Sequence, residues 1–413
     1  MTGGATAKAA GSPPETDSWD VRHRTILLVL SANMILDAVE VSVVLVALPD
    51  IRAELGLSPA GAQWLMSGFA LGFAAALLTG ARLVARLGTR RVYLAAMLGF
   101  AAASVAGGLL DDPALIVATR VVKGGCAALT APAGLAIIAG AFPDGPRRRR
   151  AVSVYSLCGA AGFTAGLLLS GALLEADWRW TLAFPAPLAL LVLVPALRVL
   201  PRDGGGGVPV RRSPAAPRLL RDGPLLRTAV GAATLNGTYH SVLFLLTLHF
   251  QERWGWSPWV NALALLPACV PLAVTVPFAA RMTARWDAGR LIALGAAAPL
   301  AGYVLLLIRP GLSSYATGVL PVLLLVGAGF VLSFAALNLR AASAGPAEDR
   351  PAVVRAYQAA VQLGAVVLLP ATGALLAAGW GGRPAFALLA VAAAVGLAAA
   401  LPALRPSSRK VRS

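Results

Sequence analysis

The sequence has 413 residues, of which 58% are hydrophobic and only 13% are charged, and its formal net charge is +17. Soluble globular chains usually contain about 25% charged residues, so the composition excludes a soluble enzyme. The three cysteines lack the paired spacing of a metal site or a disulfide framework, and we expect no metal centre.

Apolar runs recur along the whole chain, each about as long as the 20 residues that span a bilayer as a helix. They predict an all-α polytopic membrane protein with twelve transmembrane helices, called helices 1 to 12 below. These runs cover 25–49, 62–81, 92–110, 114–142, 151–174, 180–199, 228–250, 258–280, 290–308, 316–338, 353–377 and 384–404.

The N-terminal tail, 1–24, is polar, and the apolar run after it is too long for a cleavable signal peptide. If this tail is inside, most of the 35 Lys and Arg residues fall in the predicted inner segments and few in the outer loops. Such a bias predicts that both termini lie in the cytoplasm. We therefore interpret the net positive charge as a signal that orients the helices in the membrane. With no basic stripe interleaved with aromatic residues, we expect no nucleic-acid partner.

Helix 1 contains two carboxylates near its centre. Asn33, Asp37 and Glu40 are spaced four and three residues apart, so they share one helix face. A charge at that depth costs roughly 2.5 to 3.5 kcal/mol on insertion scales, and such groups usually pair or face a watery cavity. Helix 4 offers two bases, Arg120 and Lys123, that would balance the acids. A carboxylate poised between burial and a nearby cation can exchange a proton as helices move; a purely structural ion-pair cluster is the alternative.

Helix 5 contains three glycines at spacings of three and four, Gly159, Gly162 and Gly166. They share one face, where small residues let a neighbouring helix approach closely. This face predicts a helix-packing motif. Ordinary tight packing with no role in transport is the alternative.

Residues 201–224 break the hydrophobic pattern with Gly, Pro and Arg, and predict a flexible cytoplasmic linker. The linker separates a six-helix half at 25–200 from a second six-helix half at 225–404. A C-terminal cytoplasmic tail, 405–413, completes the predicted organisation.

The two halves also resemble each other. A shift of 199 positions places 55–92 on 254–291 without a gap, and matching residues cluster at both ends of one helix. A parallel repeat of this kind predicts a pseudo-two-fold axis along the membrane normal. In such transporters the substrate site lies near the midplane between the halves.

Helix 7 contains the polar residues Asn236, Tyr239 and His240, with Asn236 and His240 on one face. Histidine can change charge near physiological pH, which favours a role in proton or substrate binding. A hydrogen-bonded packing histidine is the alternative.

Four stretches resemble the drug:proton antiporter branch of the major facilitator superfamily. The first is similar to the first-helix signature of that branch, the second to its second helix and basic inner loop, the third to its fourth helix, and the fourth to its Gly-rich fifth helix. They are "VEVSVVLVALPDI" (39–51), "SPAGAQWLMSGFALGFAAALLTGARLVARLGTRR" (58–91), "RVVKGGCAALTAPAGLAIIAGAFPDGPRRRRA" (120–151) and "GAAGFTAGLLLSGALLEADWRW" (159–180).

The resemblance implies a secondary active transporter with the twelve-helix major facilitator fold. It would export a small hydrophobic or amphipathic compound, a drug or a self-made antibiotic, in exchange for protons. The candidate proton-coupling or substrate residues, from the spacings above and from this resemblance at Glu40 and Arg120, are Asn33, Asp37, Glu40, Arg120, Lys123, Asn236, Tyr239 and His240. The implied gating residues of the inner loop are Arg82, Arg86, Gly88, Arg90 and Arg91.

No cofactor is expected, because the proton gradient would supply the energy and the sequence has no phosphate-binding G-x-x-x-x-G-K-[ST] loop. The expected partners are a small-molecule substrate, protons and the lipid bilayer, with the protein acting as a monomer. Arg greatly outnumbers Lys, and Ala, Gly and Pro are abundant, which suits a GC-rich bacterial genome and a bacterial cytoplasmic membrane.

The chain departs from that family pattern at several positions. Glu40 stands where the branch usually has Asp, Ala85 stands where an Asp usually precedes the inner-loop Arg, and Phe163 replaces a usual Pro. Glu40 is the first choice for the proton carrier, because it falls where the family keeps its acid; Asp37 is an added acid. A proton symporter that imports a metabolite and a non-transporting membrane sensor with the same fold are the alternative functions.

Overall fold

The computed structural model describes residues 20–142, 145–201, 221–275, 278–308, 314–344, 349–379 and 382–404. Most of these residues belong to twelve long helices, and no strand occurs among them. The helices are α1 (Val21–Glu54), α2 (Trp64–Leu87), α3 (Thr89–Leu109), α4 (Pro113–Ala141), α5 (Pro146–Leu173), α6 (Pro185–Val199), α7 (Gly223–Leu248), α8 (Pro258–Thr275), α9 (Ala288–Ile308), α10 (Leu320–Ser343), α11 (Arg350–Ala377) and α12 (Gly382–Ala400).

Shorter helical segments flank several of these helices. They are Pro59–Ala62 before α2, Arg179–Ala183 before α6, the π-helical His249–Arg253 after α7, Ala279–Arg285 after α8, the π-helical Tyr315–Val319 before α10 and the 3-10 turn Leu401–Leu404 after α12. Most of the predicted N-terminal tail, most of the predicted linker 201–224 and all of the tail 405–413 lie outside the described residues.

Eleven of the described helical segments are long and apolar enough to cross a membrane. The remaining long helix is α7, where Asn236, Tyr239 and His240 dilute the apolar side chains. The twelve predicted helices therefore correspond one to one with α1–α12, and the predicted all-α fold is confirmed.

Two helix starts show how the sequence sets the boundaries. The side chain of Asp112 accepts a hydrogen bond from the Leu115 amide at 2.9 Å, and Asp222 accepts one from the Leu225 amide at 3.1 Å. Each carboxylate satisfies an amide that has no partner within its helix, and each helix has a proline in its first turn. As a result α7 begins at Gly223, inside the segment predicted as linker.

The predicted inner loop between helices 2 and 3 is much shorter than expected. Helix α2 continues to Leu87, α3 begins at Thr89, and Gly88 alone joins them with φ +89°. Arginine is a good helix former and is favourable near a helix C terminus, so Arg82 and Arg86 extend α2 instead of forming a loop. Gly88 supplies the left-handed backbone that other residues adopt only at a cost.

The helix pairs of the first half recur in the second half. Helices α1 and α5, α2 and α4, and α3 and α6 pack together, as do α7 and α11, α8 and α10, and α9 and α12. Between the halves, α2 packs against α11 and α8 packs against α5. This pattern is what the internal sequence repeat predicts, because every pair recurs after a shift of six helices.

Candidate functional site

The centre of the candidate site is an ion-pair cluster between α1 and α4. The Glu40 carboxylate pairs with the Arg120 guanidinium and with Lys123, whose Nζ lies 2.7 Å from Glu40 Oε1. All three side chains are at most 1% exposed. Two cations and one anion are thus removed from water together, which is tolerable only because each cation contacts the carboxylate directly.

Helix α2 and the segment before α6 hold the two cations in place. Arg120 Nε donates to the carbonyl oxygen of Leu65 at 2.7 Å, and Lys123 Nζ donates to that of Leu182, in the segment before α6, at 3.2 Å. The Arg120 guanidinium also lies 5.1 Å from the ring centre of Phe69, and Lys123 Nζ lies 5.2 Å from that of Phe100. These carbonyl and ring contacts supplement the ion pairs, so the cations are fixed from several sides.

Asp37 lies outside this cluster. Its Oδ2 accepts hydrogen bonds from Asn33 Nδ2 and Thr130 Oγ1, each at 3.1 Å. Within the described part of the chain, no Lys, Arg or His is at ion-pair distance from it. The sequence predicted two acids balanced by two bases; in the structure both bases contact Glu40, and Asp37 has neutral partners only.

Helix geometry explains this division. Along α1 the acids sit one turn apart, and α4 carries Arg120, Lys123 and Thr130 at spacings of three and seven on the face toward α1. The antiparallel course of α4 brings its two cations to the height of Glu40 and its hydroxyl to the height of Asp37. Thr130 was missed from the sequence, although its spacing from Lys123 marks it as a member of the same face.

The predicted residues of α7 lie in the other half. Asn236 Nδ2 donates to the carbonyl oxygen of Val361 in α11 at 3.1 Å, and the Tyr239 hydroxyl lies 3.2 Å from Cys269 Sγ in α8. His240 Nδ1 lies 2.9 Å from the carbonyl oxygen of Asn236 in its own helix. The hydrogen bonds of these side chains thus go to α8, α11 and their own helix, and not to Glu40.

Phe163 of α5 connects the two halves near the middle of the helices. Its ring centre lies 6.1 Å from that of Tyr239 and 6.3 Å from that of His240. The contact extends to α10, because the rings of Tyr239 and Phe330 are 4.6 Å apart. The residue that departs from the fifth-helix motif thus lies where α5 meets α7.

The three predicted packing glycines of α5 face α1. A β-carbon at Gly162 would lie 2.9 Å from the Ile35 carbonyl oxygen, and one at Gly166 would lie 2.8 Å from that of Val39. At Gly159 the nearest atom is the flexible end of Met34. Helices α1 and α5 therefore approach too closely for any side chain at Gly162 or Gly166.

The predicted gating arginines occupy the end of the bundle where α2 meets α3. Arg90 donates to the carbonyl oxygen of Leu197 in α6 at 2.5 Å. The other three, Arg82, Arg86 and Arg91, are exposed. The structure thus attaches Arg90 to a neighbouring helix, and it places Arg82, Arg86 and Arg91 at the surface.

At the opposite end, where α1 ends and α2 begins, two side-chain contacts join the halves. Arg52 forms an ion pair with Glu252, and Gln251 Nε2 donates to the carbonyl oxygen of Val46 at 2.9 Å. We call these two contacts the end clasp. At the same end, but within the first half, Arg179 lies 2.6 Å from Glu54 and 2.5 Å from Asp111. This end of the bundle is held together within and between the halves.

Comparisons with known proteins agree with this arrangement. The family model of the Major Facilitator Superfamily matches residues 30–368. A cephamycin export protein of Amycolatopsis lactamdurans is 32% identical over 68% of this chain and 54% of its own length. A puromycin resistance protein of Streptomyces alboniger is 39% identical over 46% of this chain and 38% of its own length. The chain thus spans only about half, or less, of these two relatives.

Other similarities extend over nearly the whole chain. A methylenomycin A resistance protein of Bacillus subtilis is 24% identical over 91% of this chain and 93% of its own length. The solved structure of a D-xylose-proton symporter covers 92% of this chain and 97% of its own, with a TM-score of 0.73 and 16% sequence identity, which shows a shared fold. The family model covers well over half of the chain and the helices pair as two repeats, so this multi-pass membrane protein belongs to the Major Facilitator Superfamily.

Proposed function

We propose that this protein is a proton-coupled exporter of small hydrophobic or amphipathic compounds. The observation that carries the proposal is the pair of buried acidic sites in α1, one bound to two cations and one bound to neutral groups. Ionisable groups inside a membrane domain are expensive and mark ion pathways. Asp37 and Glu40 sit one turn apart on the face toward α4, so a proton bound there can change how α1 and α4 interact.

The direction of transport rests on the relatives. Three of them are named for cephamycin export, puromycin resistance and methylenomycin A resistance, and exchange of an incoming proton for an outgoing compound would account for such functions. The setting proposed is the plasma membrane of a bacterium, with both termini in the cytoplasm. In that orientation the end clasp lies on the outer side, and the described conformation has its outer end closed.

Alternating access follows from the two repeats. The halves meet along α2 with α11 and along α5 with α8, and rocking about these contacts would open one end as the other closes. Release of the cargo to the outside requires the end clasp to break. The end clasp is therefore a candidate outer gate.

The test uses the purified full chain in proteoliposomes with an imposed pH gradient, and puromycin and methylenomycin A as probes. An antiporter accumulates the probe when the lumen is acidic, because outgoing protons drive the compound inward. Empty liposomes under the same gradient measure passive trapping of weak bases, and a protonophore should abolish the protein-dependent part.

The sign of the effective gradient separates the candidate functions. Accumulation only with an acidic exterior would identify a symporter. A wild-type protein that moves no probe under either gradient, across a panel of hydrophobic and amphipathic compounds, would contradict the proposal and favour a non-transporting role.

A further inference from the structure

We infer that Asp37, rather than Glu40, is the acid that binds and releases the transported proton, and that Glu40 is a fixed counter-ion. This inference rests on the proposed function, since it names the group that carries the coupling proton. It also assigns different roles to two acids that the sequence pattern places on the same helix face.

Glu40 is held in its ionised form by its surroundings. Its carboxylate contacts both Arg120 and Lys123, and the side chain has no exposed surface. A proton on Glu40 would leave two buried cations without an anion, and removing one partner of a buried ion pair is strongly unfavourable. The carbonyl groups of Leu65 and Leu182 that also bind the cations carry no net charge and cannot replace it.

Asp37 can exist in both forms without breaking an ion pair. The Thr130 hydroxyl donates to the ionised carboxylate, and the same oxygen can accept from the protonated acid. Asn33 Nδ2 donates to Oδ2 in the present geometry, and Oδ1, to which no described residue donates a hydrogen bond, can hold a proton. Both acids are buried, with 7% of the Asp37 surface exposed and none of that of Glu40.

The groups around Asp37 favour reversible binding of a proton. In the described part of the chain, the titratable groups that face it are Tyr93 of α3, Cys126 of α4 and Tyr155 of α5, none of which is a cation. The hydrogen bonds from Thr130 and Asn33 support the ionised form of Asp37. Burial opposes that ionisation, so loss and gain of the proton are balanced by separate causes.

A direct test compares the two acids by carbodiimide labelling. The reagent modifies protonated carboxyl groups in apolar surroundings, and peptide mass spectrometry locates the adduct. In the purified full-length protein we expect modification of Asp37 that increases as the pH falls, with Glu40 unmodified throughout. Modification of Glu40 in preference to Asp37, or no modification of Asp37 at any pH, would overturn the inference.

The Thr130 contact provides a matched set of variants. Thr130→Ala removes a hydrogen bond from the ionised form, so the labelling curve of Asp37 should move to higher pH. Thr130→Ser keeps the hydroxyl and should restore the parent curve. A curve that is identical in all three proteins would contradict the proposed hydrogen-bonded proton site.

Transport assays complete the test. Asp37→Asn should abolish gradient-driven accumulation of the probe and retain its gradient-independent exchange across the membrane, because only the proton step is lost. Accumulation at the parent level would overturn the inference. If the wild-type protein itself fails to respond to a gradient, the proposed export function fails, whereas labelling of Asp37 and Glu40 still decides which acid binds a proton.

Discussion

At the scale of single residues, the cluster of Glu40, Arg120 and Lys123 raises the question of what it does for the protein. A buried ion pair often contributes little net stability, since desolvation offsets the attraction. Removal of one of the three charges, in contrast, is strongly destabilising, because it leaves a buried charge without its partner. Each charge depends on the others, so the cluster constrains α1, α2, α4 and the segment before α6 to one relative arrangement.

We expect Glu40→Gln to destabilise the folded protein by about 3–5 kcal/mol, because it leaves two buried cations unpaired. Thermal unfolding in detergent, followed by tryptophan fluorescence, measures the change. The double variant Glu40→Gln with Lys123→Met removes one surplus cation and should recover part of the loss. Parent stability in Glu40→Gln would show that the cluster is not a structural unit.

Much of this site could be predicted from residue spacing. The faces formed by Asn33, Asp37 and Glu40 in helix 1, and by Arg120 and Lys123 in helix 4, follow from helical periodicity. The pairing could not be predicted, because spacing gives the face of a helix but not its height against a neighbour. The relative height of α1 and α4 determines that both cations contact Glu40 and that Thr130 contacts Asp37.

At the scale of helices, α1 is enclosed on two sides. One face carries the acids toward α4, and another face packs against the glycines of α5. The backbone of α1 therefore has little room to shift toward α5. Movement of α1 during transport must carry α5 with it.

We expect Gly162→Ala and Gly166→Ala to lower stability by about 1–3 kcal/mol, the usual cost of overpacking. The added methyl group would meet the α1 backbone at each position. Gly159→Ala is the matched control, since the flexible end of Met34 can move aside. Thermal unfolding of the three variants tests this, and equal midpoints would contradict the close approach.

The junction between α2 and α3 leads to a second prediction at the scale of helices. Arg90→Ala should reduce transport per molecule more than Arg86→Ala does, because Arg90 is bonded to α6 and Arg86 is exposed. Probe uptake normalised to protein abundance in the membrane measures both. The reverse order would assign the gating role to the exposed arginine.

At the scale of the whole molecule, the end clasp is one of the contacts that join the halves. An exposed ion pair contributes only about 0.2–1 kcal/mol, so the bond between Arg52 and Glu252 can break readily. Together with the Gln251 hydrogen bond it closes one end without locking it. Such a contact suits a gate that opens in every cycle.

We expect a covalent bridge at this clasp to stop transport. In a variant lacking the three native cysteines, Arg52→Cys and Glu252→Cys would be joined by a short, reducible bifunctional thiol reagent. Uptake should fall on cross-linking and recover on reduction. In each single-cysteine variant, treatment with the reagent should leave uptake unchanged. Full transport by the cross-linked protein would show that this end does not need to open.

The recurrence of the helix pairs could be predicted from the internal repeat between 55–92 and 254–291. The contacts between the halves could not. The approach of Phe163 to Tyr239 and His240 depends on how α5 and α7 are rotated, and neither sequence pattern specifies that rotation.

The ion-pair cluster and Asp37 lie wholly within the first half, with partners from α1, α2, α3, α4, α5 and the segment before α6. Among the described residues, none of the hydrogen bonds, ion pairs or cation–ring contacts of these side chains crosses to the second half. Under the proposed function, the groups that bind the proton and its counter-ions are therefore contained in one half. The second half can diversify through mutation or recombination, which would let a lineage acquire new cargoes while its energy source stays unchanged.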